Sequence, residues 1–322
     1  METPPRSPLA VYTDENDQKC GVVVLNYLAY EETVTCVRSL LQQNVDQLVV
    51  VIVNNNAPDA SMKYLTRIFE NHNNVIILST GQNLGFARGH NFGIQYLRDH
   101  GVYDILALNS DVVINDQYYL SKLLDFDYPK DCAMVGTRIV NGDGFDQNVM
   151  NSPITRNFQV AVTIARHLAK YLQLVFRRKE QVADAETYRS DSPIPSVPMA
   201  LDPTNQYLHG AAIYFREPYL KKFIGFFPET FLYGEENLLS AICLKLGFQQ
   251  YFRSDLTLTH KGAGSTGHNS ASNRKNQIVR IKESVRSNLV LLRVLNMKNS
   301  KLIRIMTGAP RNRTPNRVAA TV

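Results

Sequence analysis

Ile105-Leu-Ala-Leu-Asn109-Ser110-Asp111 is an apolar run that ends abruptly in oxygen-bearing side chains. Consecutive apolar residues of this kind fit a strand buried on both faces. Residues i and i+2 of an extended chain point the same way, so Asn109 and Asp111 are expected to present an amide oxygen and a carboxylate together at the strand's C-terminal end. Open α/β sheets bind their ligands at that end. Such a pair suits a hard cation, Mn²⁺ or Mg²⁺, which in turn neutralises a diphosphate. Asn-Ser-Asp is also ordinary turn chemistry, so the triplet has to be read with its surroundings.

Outward from this run the pattern repeats. Residues 20–25 and 48–53 read as buried strands, with a helix over 31–42 between them. A helix over 61–70, a strand at 75–78 and the loop Gly81–Asn91 follow. A helix then runs to about His100, and the strand 103–108 delivers Asn109-Ser110-Asp111. Alternating strands and helices of this length build right-handed βαβ units and a mostly parallel, doubly wound sheet. After a strand at 133–140 the pattern changes. Asn141-Gly-Asp-Gly is a turn, and a basic helical stretch covers about 157–178. A Pro- and Ser-rich loop (190–203), a strand at 211–215, a helix at 235–246 and a strand at 249–252 come next. A Gly/Ser-rich loop at 261–272 and a helix over about 276–295 complete the chain, and the tail from Thr307 is expected to be disordered. No internal repeat is visible.

The 322 residues, 44% of them hydrophobic, suffice for one large α/β domain or two small ones. No apolar stretch is long and uncharged enough to span a bilayer, and the N-terminus lacks a signal-peptide core. Cys20, Cys36, Cys132 and Cys243 are scattered without ligand spacing, which fits reduced core cysteines and a cytosolic protein. The net charge of +6 is unevenly placed: no Asp or Glu occurs between Asp146 and Glu180, nor after Glu283. That asymmetry points to a polyanionic partner, whether a membrane surface, a nucleic acid or a phosphorylated ligand.

Taken in order, several pieces resemble family 2 glycosyltransferases of the GT-A fold, particularly the bacterial rhamnosyltransferase-like group that builds surface polysaccharides. They are Val24-Leu-Asn26-Tyr27, the Asn-rich end of the second strand, Asn83-Leu-Gly-Phe-Ala-Arg-Gly-His-Asn91-Phe-Gly93 and Leu108-Asn-Ser-Asp111. His209-Gly-Ala-Ala212, Phe231-Leu-Tyr-Gly-Glu-Glu236 and His260 continue the series. The resemblance covers roughly residues 20–270. It implies a GT-A (Rossmann-like) sheet flanked by helices: a nucleotide-sugar-binding half at 19–140 and an acceptor-binding and catalytic half at 141–300 of one domain. Residues 1–18 and the basic tail 301–322 are expected to be flexible.

The roles implied are specific. Asp111, with Asn109 and His260, would hold Mn²⁺ or Mg²⁺. Asn26, Asn54, Asn83, Gly85, Arg88, Asn91, Asn109 and Ser110 would contact the nucleotide-sugar donor. His209, Gly210 and Tyr233 would face the acceptor, and Glu236 would be the catalytic base with Glu235 orienting it or touching acceptor. Each has a plainer reading. Asn54 sits where the family usually has an Asp, and its amide fits an Asx-turn equally well. The glycines at 85, 89 and 93 permit close backbone approach to a ligand, or serve a simple strand-to-helix connection. Arg88 can reach a phosphate or lie solvated. Paired acids opening a helix also complement its dipole, and an isolated His is often structural.

The reaction implied is metal-dependent, inverting transfer of a sugar from a UDP- or dTDP-linked donor of rhamnose, galactose or glucose type to a hydroxyl of a glycan. The loop 261–272 could close over the donor. A nucleotidyltransferase is the alternative, but Asn26-Tyr-Leu-Ala-Tyr30 lacks the Gly-rich, basic phosphate loop that class carries after its first strand. A nucleic-acid-binding role finds no stacking pattern among the basic segments. In the stretch 157–178, Phe158, Ala161, Ala165, Leu168, Leu172 and Phe176 form one helical stripe with Arg166, Lys170 and Arg177 roughly opposite. That helix either packs on the core or lies at an anionic membrane surface, where Arg304, Arg311, Arg313 and Arg317 would assist. The membrane reading places the enzyme at the inner face of the cell membrane beside a lipid-linked glycan acceptor.

Overall fold

The computed structural model describes residues 19–57, 60–152, 156–176, 198–262 and 274–308. The first half alternates as expected: β1 (Cys20–Asn26), α1 (Tyr30–Leu40), β2 (Leu48–Asn54), α2 (Ser61–Phe69), β3 (Val75–Ser79), α3 (Gly85–Asp99) and β4 (Asp104–Asn109). Then come β5 (Val112–Val113), α4 (Tyr119–Leu124), β6 (Cys132–Asn141), β7 (Met150–Asn151), α5 (Asn157–Phe176), β8 (Met199–Ala200), β9 (Gln206–Tyr207) and β10 (Ala212–Phe215). The last elements are α6 (Glu217–Leu220), α7 (Glu235–Leu246), β11 (Gln249–His260), α8 (Arg274–Leu295) and α9 (Asn299–Met306).

One nine-stranded sheet organises them in the order β3-β2-β1-β4-β10-β6-β11-β5, with β8 on β11. β3, β2, β1 and β4 run parallel, β10 is antiparallel to both β4 and β6, and β11 returns parallel to β6. The side-chain period of two sends alternate residues to opposite faces. Val23, Val49, Val51, Val53, Ile105 and Ala107 enter one core with α3, α7, α8 and α9. Val22, Val24, Val50, Ile52, Leu106 and Leu108 enter the other with α1, α2 and α4. Every residue of β2 is buried, which is what an apolar strand covered on both faces requires. All four cysteines are free and buried.

Several expectations need correction. The strand expected at 249–252 continues through a bulge to His260, because Leu256 and Leu258 keep alternating into the core while Asp255 and Thr257 face out. The expected tail begins with a helix: α9 buries Leu302 and Met306, one turn apart. α3 starts at Gly85, so Gly89 and Gly93 lie inside the helix rather than in a ligand loop. A Cβ at Gly93 would come within 2.6 Å of Val23 Cγ1, and one at Gly89 within 2.7 Å of Leu25 Cδ1. Those two glycines let α3 sit close on the sheet. The N-terminal segment, most of the loop 261–272, Arg177 and Arg178, and the tail beyond 308 lie outside the described residues.

Candidate active site

The turn Ser110-Asp111 leaves β4 and carries the chain across to the far end of the sheet, where β5 pairs with the end of β11. His260 is the register partner of Val112, and the Lys261 N–H donates to the Asp111 carbonyl at 3.0 Å. This crossing sets His260 Nε2 3.3 Å from Asp111 Oδ1, both side chains being nearly buried. His260 Nδ1 lies 2.7 Å from Gln147 Oε1. An amide oxygen only accepts, so Nδ1 donates to it and Nε2 is the ring atom that faces the carboxylate. An unprotonated Nε2 beside the Asp111 carboxylate is an arrangement that could ligate a cation.

The donor set, one carboxylate oxygen and one imidazole nitrogen steadied by an amide, fits Mn²⁺ well. Among the described residues no group of three or more His, Cys, Asp or Glu side chains is placed to hold a metal. Two protein ligands are sufficient where substrate phosphates complete the shell. The expected partnership of Asn109 with Asp111 has a different geometry. β4 ends at Asn109, and the following turn breaks the alternation on which joint presentation depended.

His209 and Gly210 approach from the turn before β10. The His209 ring stands 5.6 Å from that of His260, edge to face. Its Nδ1 accepts from the Ala211 N–H at 3.1 Å, and burial, with the neighbouring His260, pushes its pKa down to about 4. It is neutral near pH 7. At Gly210 the position of a Cβ would lie 3.4 Å from Glu236 Oε1, so the missing side chain brings the turn against the carboxyl group.

The two acids open α7 after Tyr233 (φ +69°) and Gly234 (φ +82°), a left-handed pair that turns the chain sharply into the helix. Glu235 is 3% exposed, and its Oε1 has no hydrogen-bond partner among the described residues. Burial, then the charge of Glu236, raises its pKa to about 8. A helix N-terminus favours a carboxylate by about 0.3–1 kcal/mol, whereas a shift of that size corresponds to several kcal/mol. Burial prevails over the dipole. Glu236, half-buried beside Gly210, is raised as well, chiefly by desolvation.

A cleft of about 440 Å³ opens nearby. Leu25, Tyr27, Asn55, Asn83, Gly85 and Phe86 form its sheet-edge wall, facing Phe231, Leu232 and Tyr233, with Asn276, Val279 and Arg280 of α8. The Arg280 guanidinium lies 5.7 Å from the centre of the Tyr233 ring. Gly85 is held by conformation and by space: its φ is +77°, and a Cβ there would come within 2.3 Å of the Phe231 carbonyl oxygen.

The remaining amides divide sharply. Asn26 is fully buried, donating to Asn54 Oδ1 (3.1 Å) and accepting from the Thr33 hydroxyl (3.0 Å). Asn54 Oδ1 also accepts from the Ala57 N–H, three residues on, at 3.3 Å. Asn91 grips the Phe226 backbone through both its amide atoms, at 2.8 Å each. The N–H groups of Leu84, Gly85 and Phe86 are taken by Asn55, Asn83 and the Phe231 carbonyl, so these three are engaged within the protein. Arg88 is exposed and is not among the cleft-lining residues, and Ser110 is buried. Sequence reasoning did not single out Asn55, Gln147 or Arg280. Asn55 lay within a visible run of three asparagines; Gln147 and Arg280 have no local signal.

A mixed, mostly parallel sheet flanked by helices matches the GT-A glycosyltransferase architecture. The chain belongs to glycosyl transferase family 2, whose family model matches residues 21–185, just over half of it. The crystal structure of GalNAc-T7 with UDP, GalNAc and Mn²⁺ is similar at a TM-score of 0.53 and 12% identity, over 84% of this chain and 48% of that one. This chain therefore spans about half the length of that protein. The mannosyltransferase PcManGT from Pyrobaculum calidifontis, in complex with GDP-Man and Mn²⁺, is similar at a TM-score of 0.50 and 12% identity, over 88% of this chain and 74% of that one. Likeness at this identity speaks for the fold. No curated protein matches the sequence significantly.

Proposed function

We propose that this protein is an inverting glycosyltransferase that moves a sugar from a nucleoside-diphosphate donor to a hydroxyl of a glycan acceptor. The observation that carries the reading is the meeting of Asp111 and His260 at the sheet edge, with His209-Gly210 linking them to Glu236. Family membership and the GT-A fold support it. Both structural relatives named above were solved with Mn²⁺ and a nucleotide or nucleotide sugar, which supports Mn²⁺ or Mg²⁺ here.

Asp111 and His260 hold the ion, and Gln147 keeps His260 in the tautomer that can ligate. Bound there, a divalent cation supplies Lewis-acid stabilisation of the departing nucleoside diphosphate. The donor lies along the Tyr27–Asn55–Asn83 wall, and the acceptor enters on the side of Tyr233, His209 and Gly210. Glu236 takes the proton of the acceptor hydroxyl as its oxygen attacks the anomeric carbon. The bond to the diphosphate breaks on the opposite face, so the centre inverts and no covalent enzyme intermediate forms. Burial raises both carboxyl groups, and their mutual repulsion favours one proton held by the pair, which leaves one carboxylate to work as the base.

UDP or dTDP donors of rhamnose, galactose or glucose type and a lipid-linked glycan of bacterial surface polysaccharide are the finer assignment, resting on the sequence resemblance and the basic distribution of charge. The test is nucleoside-diphosphate release from a panel of UDP-, dTDP- and GDP-sugars, with and without Mn²⁺. Metal-dependent release from one or a few donors is expected. Pyrophosphate release from nucleoside triphosphates and sugar phosphates would identify a nucleotidyltransferase instead.

A further inference from the structure

α7, which carries the two acids, begins without a capping side chain. Its N-cap is Gly234, which offers no oxygen to the first free N–H groups of the helix. The residue before it, Tyr233, has a φ of +69°. A non-glycine residue in that conformation persists only where its surroundings hold it. The direction in which α7 sets out is therefore fixed by contacts from outside the corner.

Those contacts come from two helices. The Phe231 carbonyl accepts from the Phe86 N–H of α3 at 2.7 Å. The missing side chain at Gly85 makes room for it, since a Cβ there would come within 2.3 Å of the same oxygen. The next carbonyl, that of Leu232, accepts from the Ser287 hydroxyl of α8 at 3.3 Å. Ser287 is 4% exposed, and its Cβ stands 3.3 Å from where a Cβ would lie at Gly234. The two peptide groups before the corner are thus gripped in succession, one by the helix that supplies Gly85 and Phe86 to the cleft wall and one by the helix behind α7. Glu235 and Glu236 follow the corner directly.

We propose that Gly85 and Ser287 are positioning residues for the acid pair: through the Phe231 and Leu232 carbonyls they hold the corner from which Glu235 and Glu236 project, and so fix the base relative to the donor wall. The inference rests on the transferase reading for the role of Glu236. The mechanical link from α3 and α8 to the corner does not depend on it. A contribution to stability alone would lower the melting temperature and leave the rate of the folded fraction untouched; misplacing a base costs rate.

The test uses Ser287→Ala and Gly85→Ala in the full chain, with two readouts. Hydrogen exchange needs no substrate: amides of residues 231–238 should exchange roughly tenfold faster in each variant, with those of β1 and β2 unchanged. Steady-state kinetics with a donor that the wild type uses come second. Ser287 is not among the cleft-lining residues. Ser287→Ala should therefore lower kcat about 10- to 100-fold, with donor KM within about twofold of wild type. Calorimetric affinity for the nucleoside diphosphate should stay unchanged. Gly85 lines the cleft, so Gly85→Ala is expected to lower kcat and raise KM together. Unchanged exchange over 231–238 in Ser287→Ala would overturn the proposal, as would wild-type kcat in its folded fraction. A wild-type protein that turns over no nucleotide sugar would overturn the transferase reading instead, and hydrogen exchange would still decide the link.

Discussion

The two halves of the sheet edge solve opposite problems. At the ends of β1, β2 and α3, the polar groups are neutral amides, and the protein satisfies most of them itself: Asn26 with Asn54 and Thr33, Asn55 with Asn83 and Leu84, Asn91 with Phe226. At the turn after β4, the turn before β10, the end of β11 and the start of α7 the groups are titratable and crowded. Asp111 faces His260, His209 is driven neutral, and Glu235 is buried against Glu236. The first half is a rigid wall whose hydrogen bonds fix its shape. In the second, burial shifts His209 down and Glu235 up, and there the chemistry is expected.

Substitutions on the two sides should separate rate from stability. The largest effects belong to the charged side. Asp111→Asn is expected to abolish metal-dependent turnover with the melting temperature nearly unchanged, since the residue sits in a turn at the strand end. Full activity at ordinary Mn²⁺ would remove Asp111 from the site. Glu236→Gln should lose about 10²–10⁴-fold in kcat while still binding nucleoside diphosphate in calorimetry. If Glu235→Gln were inactive and Glu236→Gln nearly normal, the two roles would be exchanged.

Gln147→Leu removes the acceptor that orients His260. Mn²⁺ affinity should fall about 10–100-fold, measured by Mn²⁺ titration of turnover, with kcat largely restored at saturating metal. A loss of kcat that metal cannot restore would mean that Gln147 touches substrate.

The buried acid has a signature in stability. Glu235 titrates at about 8 in the folded protein against a usual value of 4.5. Between those values the unfolded chain releases its proton and the folded protein retains it. Stability therefore falls as pH rises from about 4.5 to about 8, with a limiting slope of about 1.4 kcal/mol per pH unit for one group. Denaturant melts across this window should show the decline, and Glu235→Gln should flatten it. An unchanged slope in that variant would place the burden on another group.

On the amide side, Asn26→Ala leaves Asn54 and Thr33 without their buried partner. A cost of about 1–3 kcal/mol in stability is expected, with kcat of the folded fraction close to wild type. A variant that melts normally but binds donor poorly would make Asn26 a ligand contact and erase the contrast between the two walls.

Much of this was written in local sequence. Apolar runs of strand length at 20–25, 48–53 and 105–108, spaced by helices, determine a parallel α/β sheet because side-chain periodicity is a property of neighbouring residues. The same locality exposes Asp111 as an acid at a strand end and Glu235-Glu236 as acids opening a helix. Tertiary structure alone decided who meets whom. Asp111 meets His260 because the chain crosses from β4 to the end of β11, a pairing set by the order of distant strands. Asn26 and Asn91 became internal braces, and Asn55 a wall of the cleft, because the register of β1 on β2 and the docking of α3 chose their partners. In α5 both sides carry apolar residues, so the pattern could not say which one the core would take. The packing of α8 on Val160 and Leu174 made that choice and left Phe158 and Phe176 in the open.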